Sequence, residues 1–491
     1  MLITNANEMR QLSILFVLLS LTISGFSQIP YNHRYSSPIF NEIEISYDVV
    51  YGNAPALSFP YFNENNTTPQ DLLMDIYIPA GDTLEYKPAL VCTHSGAFVS
   101  GTKSAEDMVA FCDSMAHRGY VTVSIDYRLG MNVFSAESST RAVYRGVQDG
   151  RSAIRFLKEN AEVYGIDTNN IYMLGSSAGA YVGLHNIYMD TEDERPPETY
   201  NSPDLGCLDC SGNDFEHSGR AVGLISLWGA LQDTALIFQE DTIPIFVAHG
   251  TADATVPFGY GSAFGNPAFP ATYGSNLVAE QIESYGNNVE KYFVMGEGHE
   301  FYGTDNGDWP GAPNNYWDTV FNKTQSFMHN IHKPTAGFYY EDYGLYEFFD
   351  QSISASSWYW DFGDGTYSTD QNPIHDYAEY GFYRVTQFVE NELMSWDSLS
   401  MEISFFLDIK ENSNQHFTMF PNPTSNQVTF KNDDNQSITV VLRSSNGIIV
   451  YNSEVPSQRS VTHSLINCSP GLYFVSVISN SFVTVNKLVI K

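Results

Sequence analysis

An apolar run, Ile171 to Leu174, leads straight into Gly175-Ser176-Ser177-Ala178-Gly179. A strand that ends in Gly-x-Ser-x-Gly and turns at once into a helix lifts the central serine hydroxyl clear of its sheet and into a cleft. Such a turn points to covalent acyl transfer through Ser177. The five-residue pattern also arises by chance in a chain with 36 glycines, so its surroundings decide.

A chain of 491 residues holds several domains, at roughly 100–200 residues each. Its 23 basic against 57 acidic residues give a formal charge of −34, with no basic stripe. That argues against a nucleic-acid partner, which needs clustered Lys and Arg to displace counterions. Residues 1–28 read as an export signal: Arg10 precedes an apolar region from Leu12 to Ile23, and Gly25-Phe26-Ser27-Gln28 offers small residues for cleavage. That apolar run is too short to span a bilayer, and no later one is long enough, so the mature protein is expected to lack a membrane span. Five scattered cysteines do not make a disulfide scaffold. Cys207 and Cys210 form either a local disulfide or two free thiols, and Cys92, inside an apolar strand, is expected to be inert.

From Tyr47 to His332 short apolar runs alternate with long amphipathic ones, as in a doubly wound, mostly parallel sheet covered by helices. Strands are expected at Leu72–Tyr77, Ala89–Thr93, Val121–Asp126, Ile171–Leu174, Val222–Trp228, Pro244–Ala248 and Tyr292–Met295. The clearest helix runs from Thr140 to Tyr164, where Val143, Val147, Ile154, Leu157 and Ala161 recur at helical spacing. Periodicity fails between Met189 and Gly219, which predicts an inserted loop near the site.

Ser177 needs a base to take its proton and a carboxylate to orient that base. In the order serine, acid, histidine, His299 follows strand Tyr292–Met295 and the turn Gly296-Glu297-Gly298. It therefore projects from the carboxyl edge of the sheet, where ligands bind in such folds. His329 and His332 end a predicted helix and read as solvated. The acid is Asp253, in the loop His249-Gly250-Thr251-Ala252-Asp253-Ala254-Thr255-Val256-Pro257 after Pro244–Ala248. His249 reads as structural, holding that loop. An oxyanion needs backbone N–H donors, and one is Ala178, just after the nucleophile.

The His-Gly-Thr-x-Asp-x-x-Val-Pro run resembles the α/β-hydrolase superfamily, as do Asp126-Tyr127-Arg128-Leu129 and Tyr164-Gly165-Ile166-Asp167. His94-Ser95-Gly96-Ala97-Phe98-Val99-Ser100-Gly101 resembles the His-Gly-Gly-Gly-Phe-x-x-Gly loop of hormone-sensitive-lipase-like and type-B-like carboxylesterases. The resemblance implies that Gly96 and Ala97 supply further N–H groups to the oxyanion. Ser95 and Ala97 replace two of that loop's glycines, and the Ala97 Cβ narrows its backbone angles.

After Lys333-Pro334 the texture changes to short alternating runs. Trp358-Tyr359-Trp360-Asp361-Phe362-Gly363-Asp364-Gly365, with Pro373, His375, Tyr377, Gly381, Tyr383 and Val385, resembles a PKD immunoglobulin-like domain over residues 335–408. The resemblance implies a spacer or a glycan-contacting module. Asp361, Asp364 and Asp370 read as solvated turn carboxylates rather than calcium ligands. A polar linker, residues 409–416, precedes Phe417-Thr418-Met419-Phe420-Pro421-Asn422-Pro423, a hairpin signal at Asn446-Gly447, Pro470-Gly471-Leu472-Tyr473 and a final Lys487-Leu488-Val489-Ile490-Lys491. Residues 417–491 resemble the C-terminal sorting domain of the type IX secretion system of Bacteroidetes. This implies that secretion machinery as a partner, and a secreted or surface location.

The expected architecture is an α/β-hydrolase domain at residues 35–333 followed by two small all-β sandwich domains. The expected function is a serine carboxylic ester hydrolase that needs no metal or cofactor. Phe258-Gly259-Tyr260-Gly261 and the stretch from Asn306 to Tyr316 suggest an open polar-aromatic cleft, favouring short acyl, aromatic or carbohydrate esters over long-chain lipids. Alternatives are a polyester hydrolase or peptidase using the same triad, and a surface adhesin on a dead hydrolase fold.

Overall fold

The computed structural model describes residues 33–342, 345–379, 381–405, 417–444, 448–479 and 483–491. The export signal of residues 1–28, the 409–416 linker and the Asn446-Gly447 turn lie outside them. The chain divides into two compact units, the first built on a mostly parallel sheet and the second all β.

In the first unit, β1 (Ile43–Leu57), β2 (Thr67–Pro79), β3 (Lys87–Thr93), β4 (Val121–Ile125), β5 (Ile166–Ser176), β6 (Leu224–Leu227), β7 (Ile245–Gly250) and β8 (Glu290–Val294) form one sheet. Their order is β1-β2-β4-β3-β5-β6-β7-β8. Neighbours from β4 to β8 are parallel, while β1 and β2 are antiparallel to each other and β2 to β4. The helices are α1 (Glu106–Ala116), α2 (Ala136–Glu159), α3 (Ala178–Tyr188), α4 (Ser275–Ser284) and α5 (Asn315–His332).

Central strands are apolar on both faces because each face carries a core. Ala89 and Val91 of β3, Ile171 and Met173 of β5 and Ile245 and Val247 of β7 enter one core with Ala153, Ile154 and Leu157 of α2. The alternate residues Leu90, Cys92, Tyr172, Leu174, Phe246 and Ala248 enter the other, with Phe111 of α1 and Phe327 of α5. Cys92 is fully buried and unpaired by disulfide.

Every expected strand is present, and β1 is an addition. Ile45, Tyr47 and Val50 of β1 are exposed and a register shift between Ser46 and Val49 breaks its alternation, which hides the strand from a period-two reading. The expected Thr140–Tyr164 helix starts earlier, where the Ser135 side chain caps the Ser138 N–H, and breaks at Asn160 into α2 and a separate turn, Ala161–Tyr164. The same strand ends carry Thr93, Ser176, Gly250 and Val294 to one edge of the sheet.

The inserted loop packs on α2. Residues 190–219 run along α2, whose polar side takes their carbonyls: Arg141 donates to Glu198 O (2.7 Å) and Pro203 O (2.6 Å), and Gln148 to Leu205 O and Cys207 O (both 2.9 Å). Arg151 and Arg155 both pair with Asp209, which also accepts from the Gly219 N–H at 3.0 Å. Cys207 and Cys210 are disulfide-bonded within this loop. Arginine donors satisfy the carbonyls that an irregular segment leaves over, so the loop is clamped rather than lid-like.

In the second unit, one sandwich pairs Phe338–Asp342, Tyr346–Asp350 and Ile374–His375 in one sheet and Tyr367–Ser368, Ser357–Asp361, Gly381–Glu390 and Trp396–Phe405 in the other, around fully buried Trp360. The second sandwich joins Phe417–Phe420, Gln427–Asn432 and Ser460–Ser464 in one sheet. Its other sheet orders Ile449–Val455, Ile438–Ser444, Gly471–Ile478 and Val483–Ile490.

The turn after β5 leaves no room for side chains. A Cβ on Gly175 would lie 2.1 Å from Gly179 O, and one on Gly179 would lie 2.1 Å from Thr93 O. Gly179→Ala is therefore expected to destabilise the first unit by more than about 3 kcal/mol, read as a fall in the urea midpoint. An unchanged midpoint would show that β3 and α3 can separate at this contact.

Candidate active site

Ser177 stands between β5 and α3 with φ 53° and ψ −113°, a left-handed backbone rare for a residue with a Cβ. Its N–H donates to Leu227 O at 3.0 Å, and its carbonyl accepts from Ala180 and Tyr181 as α3 begins. The hydroxyl lies 2.8 Å from His299 Nε2, and His299 Nδ1 lies 2.6 Å from Asp253 Oδ2. Three residues far apart in sequence thus form one hydrogen-bonded chain at the carboxyl edge of the sheet.

Asp253 is fixed from every side. Its Oδ1 accepts from the N–H groups of Thr255 (2.7 Å) and Val256 (2.9 Å), and its Oδ2 lies 3.2 Å from His249 Nε2. Burial alone would push its carboxyl up, but hydrogen bonds from His249 and His299 outweigh that and hold it well below the usual carboxylate range.

The loop after β3 winds through three left-handed residues, Gly96 (φ 113°), Ala97 (φ 52°) and Phe98 (φ 59°). Ala97 therefore holds a left-handed backbone despite its Cβ. The Gly96 carbonyl closes the turn by accepting from Val99 (3.0 Å) and Ser100 (3.1 Å), and a Cβ on Gly96 would strike Ser100 O at 2.2 Å. Ala97 and Ala178 line the same cavity as Ser177, and among the described residues neither of their N–H groups has an acceptor. Gly96 stands behind them, outside the cavity lining.

The cavity measures about 70 Å³ and is mostly apolar, lined by Phe98, Met131, Tyr181, Phe264 and Phe269, with Gln232 and Thr272 as polar points. This corrects the expected polar-aromatic cleft. Phe258 packs on His249 and Phe293 instead, and the stretch from Asn306 to Tyr316 contributes nothing to the lining. Thr272 reaches the lining from a small sheet of Ala230–Leu231, Ala271–Gly274 and Tyr260–Ser262. Its strands are too short for any periodic signal. His185, beneath the cavity, is fully buried, and burial lowers its ring to about 4, so it is neutral.

Sequence reasoning missed the group behind His299. Trp228, fully buried, sits edge-on to His299 at 6.2 Å and to Tyr302 at 4.6 Å, and donates from its indole to Ser176 Oγ at 3.0 Å. Tyr302 in turn donates to the buried Asp107 carboxyl at 2.7 Å. His332 also departs from expectation. It is buried beside Tyr35 and Tyr120, with Tyr120 Oη 2.9 Å from its Nε2, because the end of α5 is covered rather than solvated. In the second unit, Asp364 is held by Thr366 and His375, and Asp361 by the Gly363 N–H. Among the described residues no group of three or more His, Cys, Asp or Glu is placed to hold a metal ion.

With this geometry in hand, comparison with known families is informative. The BD-FAE family matches residues 74–202, from β2 through the loop after β3 and the serine turn into the clamped loop. The first unit therefore carries a BD-FAE domain match, of the α/β-hydrolase esterase kind, over residues 74–202. A PKD domain matches residues 347–397, and a secretion system C-terminal sorting domain matches residues 418–491. The sorting domain marks the esterase-domain chain as a secreted or cell-surface protein. No described helix is long and apolar enough to cross a membrane.

Gut esterase 1 of Caenorhabditis briggsae is 38% identical over 100 residues, covering 20% of this chain and 18% of that protein. A probable isoprenylcysteine alpha-carbonyl methylesterase of Oryza sativa is 26% identical over 282 residues, covering 52% of this chain and 59% of its own. The chain thus spans under two thirds of these relatives' length. Among solved structures, Thermogutta terrifontis esterase 2 aligns over 60% of this chain and 97% of its own at 22% identity, with a TM-score of 0.41.

Asp107 gives a test of the esterase domain's buried charge. Burial, with nearby Glu300 adding to it against the Tyr302 hydrogen bond, raises its carboxyl to about 8. A carboxyl raised in the fold contributes stability that is full below its unfolded value near 4 and is lost as pH rises towards the folded value. Relative to wild type, Asp107→Asn should therefore gain unfolding free energy from pH 4 to pH 8, measured by urea titration. An equal difference at both pH values would show that Asp107 ionises alike in both states.

Proposed function

We propose that the chain is a secreted serine carboxylic ester hydrolase acting through Ser177, His299 and Asp253, with Gly96, Ala97 and Ala178 as its oxyanion hole. The observation that carries this reading is the hydrogen-bonded chain from Ser177 Oγ through His299 to Asp253, at 2.8 and 2.6 Å, on a left-handed nucleophile turn.

In this reading His299 Nε2 takes the Ser177 proton as Oγ bonds to the ester carbonyl carbon. The carbonyl oxygen becomes an oxyanion and accepts from the Ala178 and Ala97 N–H groups, each such donor being worth roughly 3–4 kcal/mol. His299 then gives its proton to the departing alkoxide, leaving an acyl-Ser177. A water next loses its proton to His299, adds to the acyl carbon, and the collapse frees the acid and returns the proton to Ser177. Asp253 stays ionised throughout and holds the His299 tautomer. The chain needs no metal or cofactor for any of these steps.

A cavity of about 70 Å³ is roughly half the ~150 Å³ that admits benzene. It favours a short acyl chain, with the alcohol, aromatic or sugar part directed to the open side. The esterase unit, residues 35–333, would be exported by type IX machinery reading residues 417–491, with residues 335–408 as a spacer.

Purified protein should cleave p-nitrophenyl acetate and butyrate faster than the decanoate, and Ser177→Ala should lower kcat by at least about 10⁴-fold. Chromogenic peptides and polyester films, assayed alongside, would reveal the two other acyl substrates this machinery can serve. Failure of the intact protein on every ester would return it to a binding role.

A further inference from the structure

Asp253 offers a single oxygen, Oδ2, to two imidazoles. His299 Nδ1 lies 2.6 Å from it and His249 Nε2 lies 3.2 Å from it. His249 is the penultimate residue of β7 and is fully buried. Its Nε2 also faces the Val256 carbonyl oxygen at 3.2 Å. A carboxylate and a carbonyl can only accept, so this nitrogen carries hydrogen in either charge state of the ring. The ring cannot turn away, because Nδ1 lies 2.8 Å from Ser275 Oγ at the start of α4 and Phe258 packs edge-on at 5.6 Å.

We infer that His249 is a positioning residue of the triad: it donates to the carboxylate oxygen that His299 uses, and so keeps His299 less basic than a singly bonded aspartate would. The inference rests on the serine-esterase reading above. The imidazolium that forms when His299 takes the Ser177 proton is stabilised by the Asp253 charge. A second donor on Oδ2 disperses that charge, so His299 protonates at lower pH and remains a free base over a wider acid range. Holding the loop, the role read from sequence, is then only part of its work.

The other ionisable groups near the pair are Tyr181 on α3, Glu297 and Glu300 beside the base, Tyr316 on α5, which donates to Glu297 at 3.0 Å, and Asp107 on α1 behind Tyr302. From α4, Ser275 is the neighbour of His249. None of these groups hydrogen-bonds to Asp253 Oδ2, so a change at His249 acts on His299 through Asp253.

Two substitutions separate charge dispersal from mere packing. Glutamine can place an amide N–H near the Nε2 position, whereas asparagine is too short to reach Asp253. The acid limb of kcat/KM on p-nitrophenyl acetate, which reports ionisation of the free enzyme, should move up by about one pH unit in His249→Asn. In His249→Gln it should stay with wild type. A superimposable limb in His249→Asn overturns the inference, as does an equal loss at every pH in both variants. Should His249→Asn not fold, ¹⁵N-histidine spectra of the wild-type protein decide, with His249→Gln supplying the assignment. A protonated His249 Nε2 across the activity range supports the inference, and an unprotonated one overturns it. The underlying reading fails separately, by full activity of Ser177→Ala.

Discussion

The left-handed backbone of Ser177 is the constraint on which the rest of the first unit depends. A residue with a Cβ held in such a conformation costs on the order of 1–3 kcal/mol, and the surroundings must enforce it. They do so through the bond from its N–H to Leu227, the start of α3 on its carbonyl, and two glycines where any side chain would meet backbone within 2.1 Å. Once the turn is fixed, the hydroxyl has one place to be. The parallel ladder then brings Asp253 and His299 to it, since Leu227 of β6 pairs with Ala248 of β7, and His249 of β7 with Phe293 of β8.

Around that point the fold treats two buried carboxyls in opposite ways. Asp253 receives two backbone N–H groups and two imidazoles and stays ionised. Asp107, close behind Trp228 and Tyr302, receives the Tyr302 hydroxyl and the Met108 N–H, faces Glu300, and keeps its proton to about pH 8. Environment separates them. The rings of Trp228 and Tyr302 link His299 to this neutral acid, with Phe301 packed against Trp228.

Much of this was legible from sequence because it rests on local patterns. The apolar run before Gly175, the His249-Gly250-Thr251 loop and the His94–Gly101 loop each mark a strand end, and strand ends in a parallel sheet share one edge. What was not legible depends on tertiary placement. Nothing in the 189–219 segment says that its carbonyls meet the arginines of α2, so breaker-rich composition suggested a loop near the site. The cavity's Thr272 came from a four-residue strand, Ala271–Gly274, paired with a three-residue one, Tyr260–Ser262, both below the length at which alternation can be seen. The aromatics at 306–316 were visible, but their direction was not.

The clamp on the 190–219 loop has a consequence for the surface. Arg128, Arg141, Arg145, Arg151 and Arg155 are all buried, in a chain that has only 23 basic residues and a formal charge of −34. Cations are thus withdrawn from the exterior while most carboxylates remain on it. The outside of the molecule is an almost unopposed negative field, reaching about one Debye length, ~10 Å at 0.1 M salt. Uncharged molecules cross that field freely, whereas polyanions approach slowly at low salt and far more readily at high salt, so ionic strength filters what comes near Ser177.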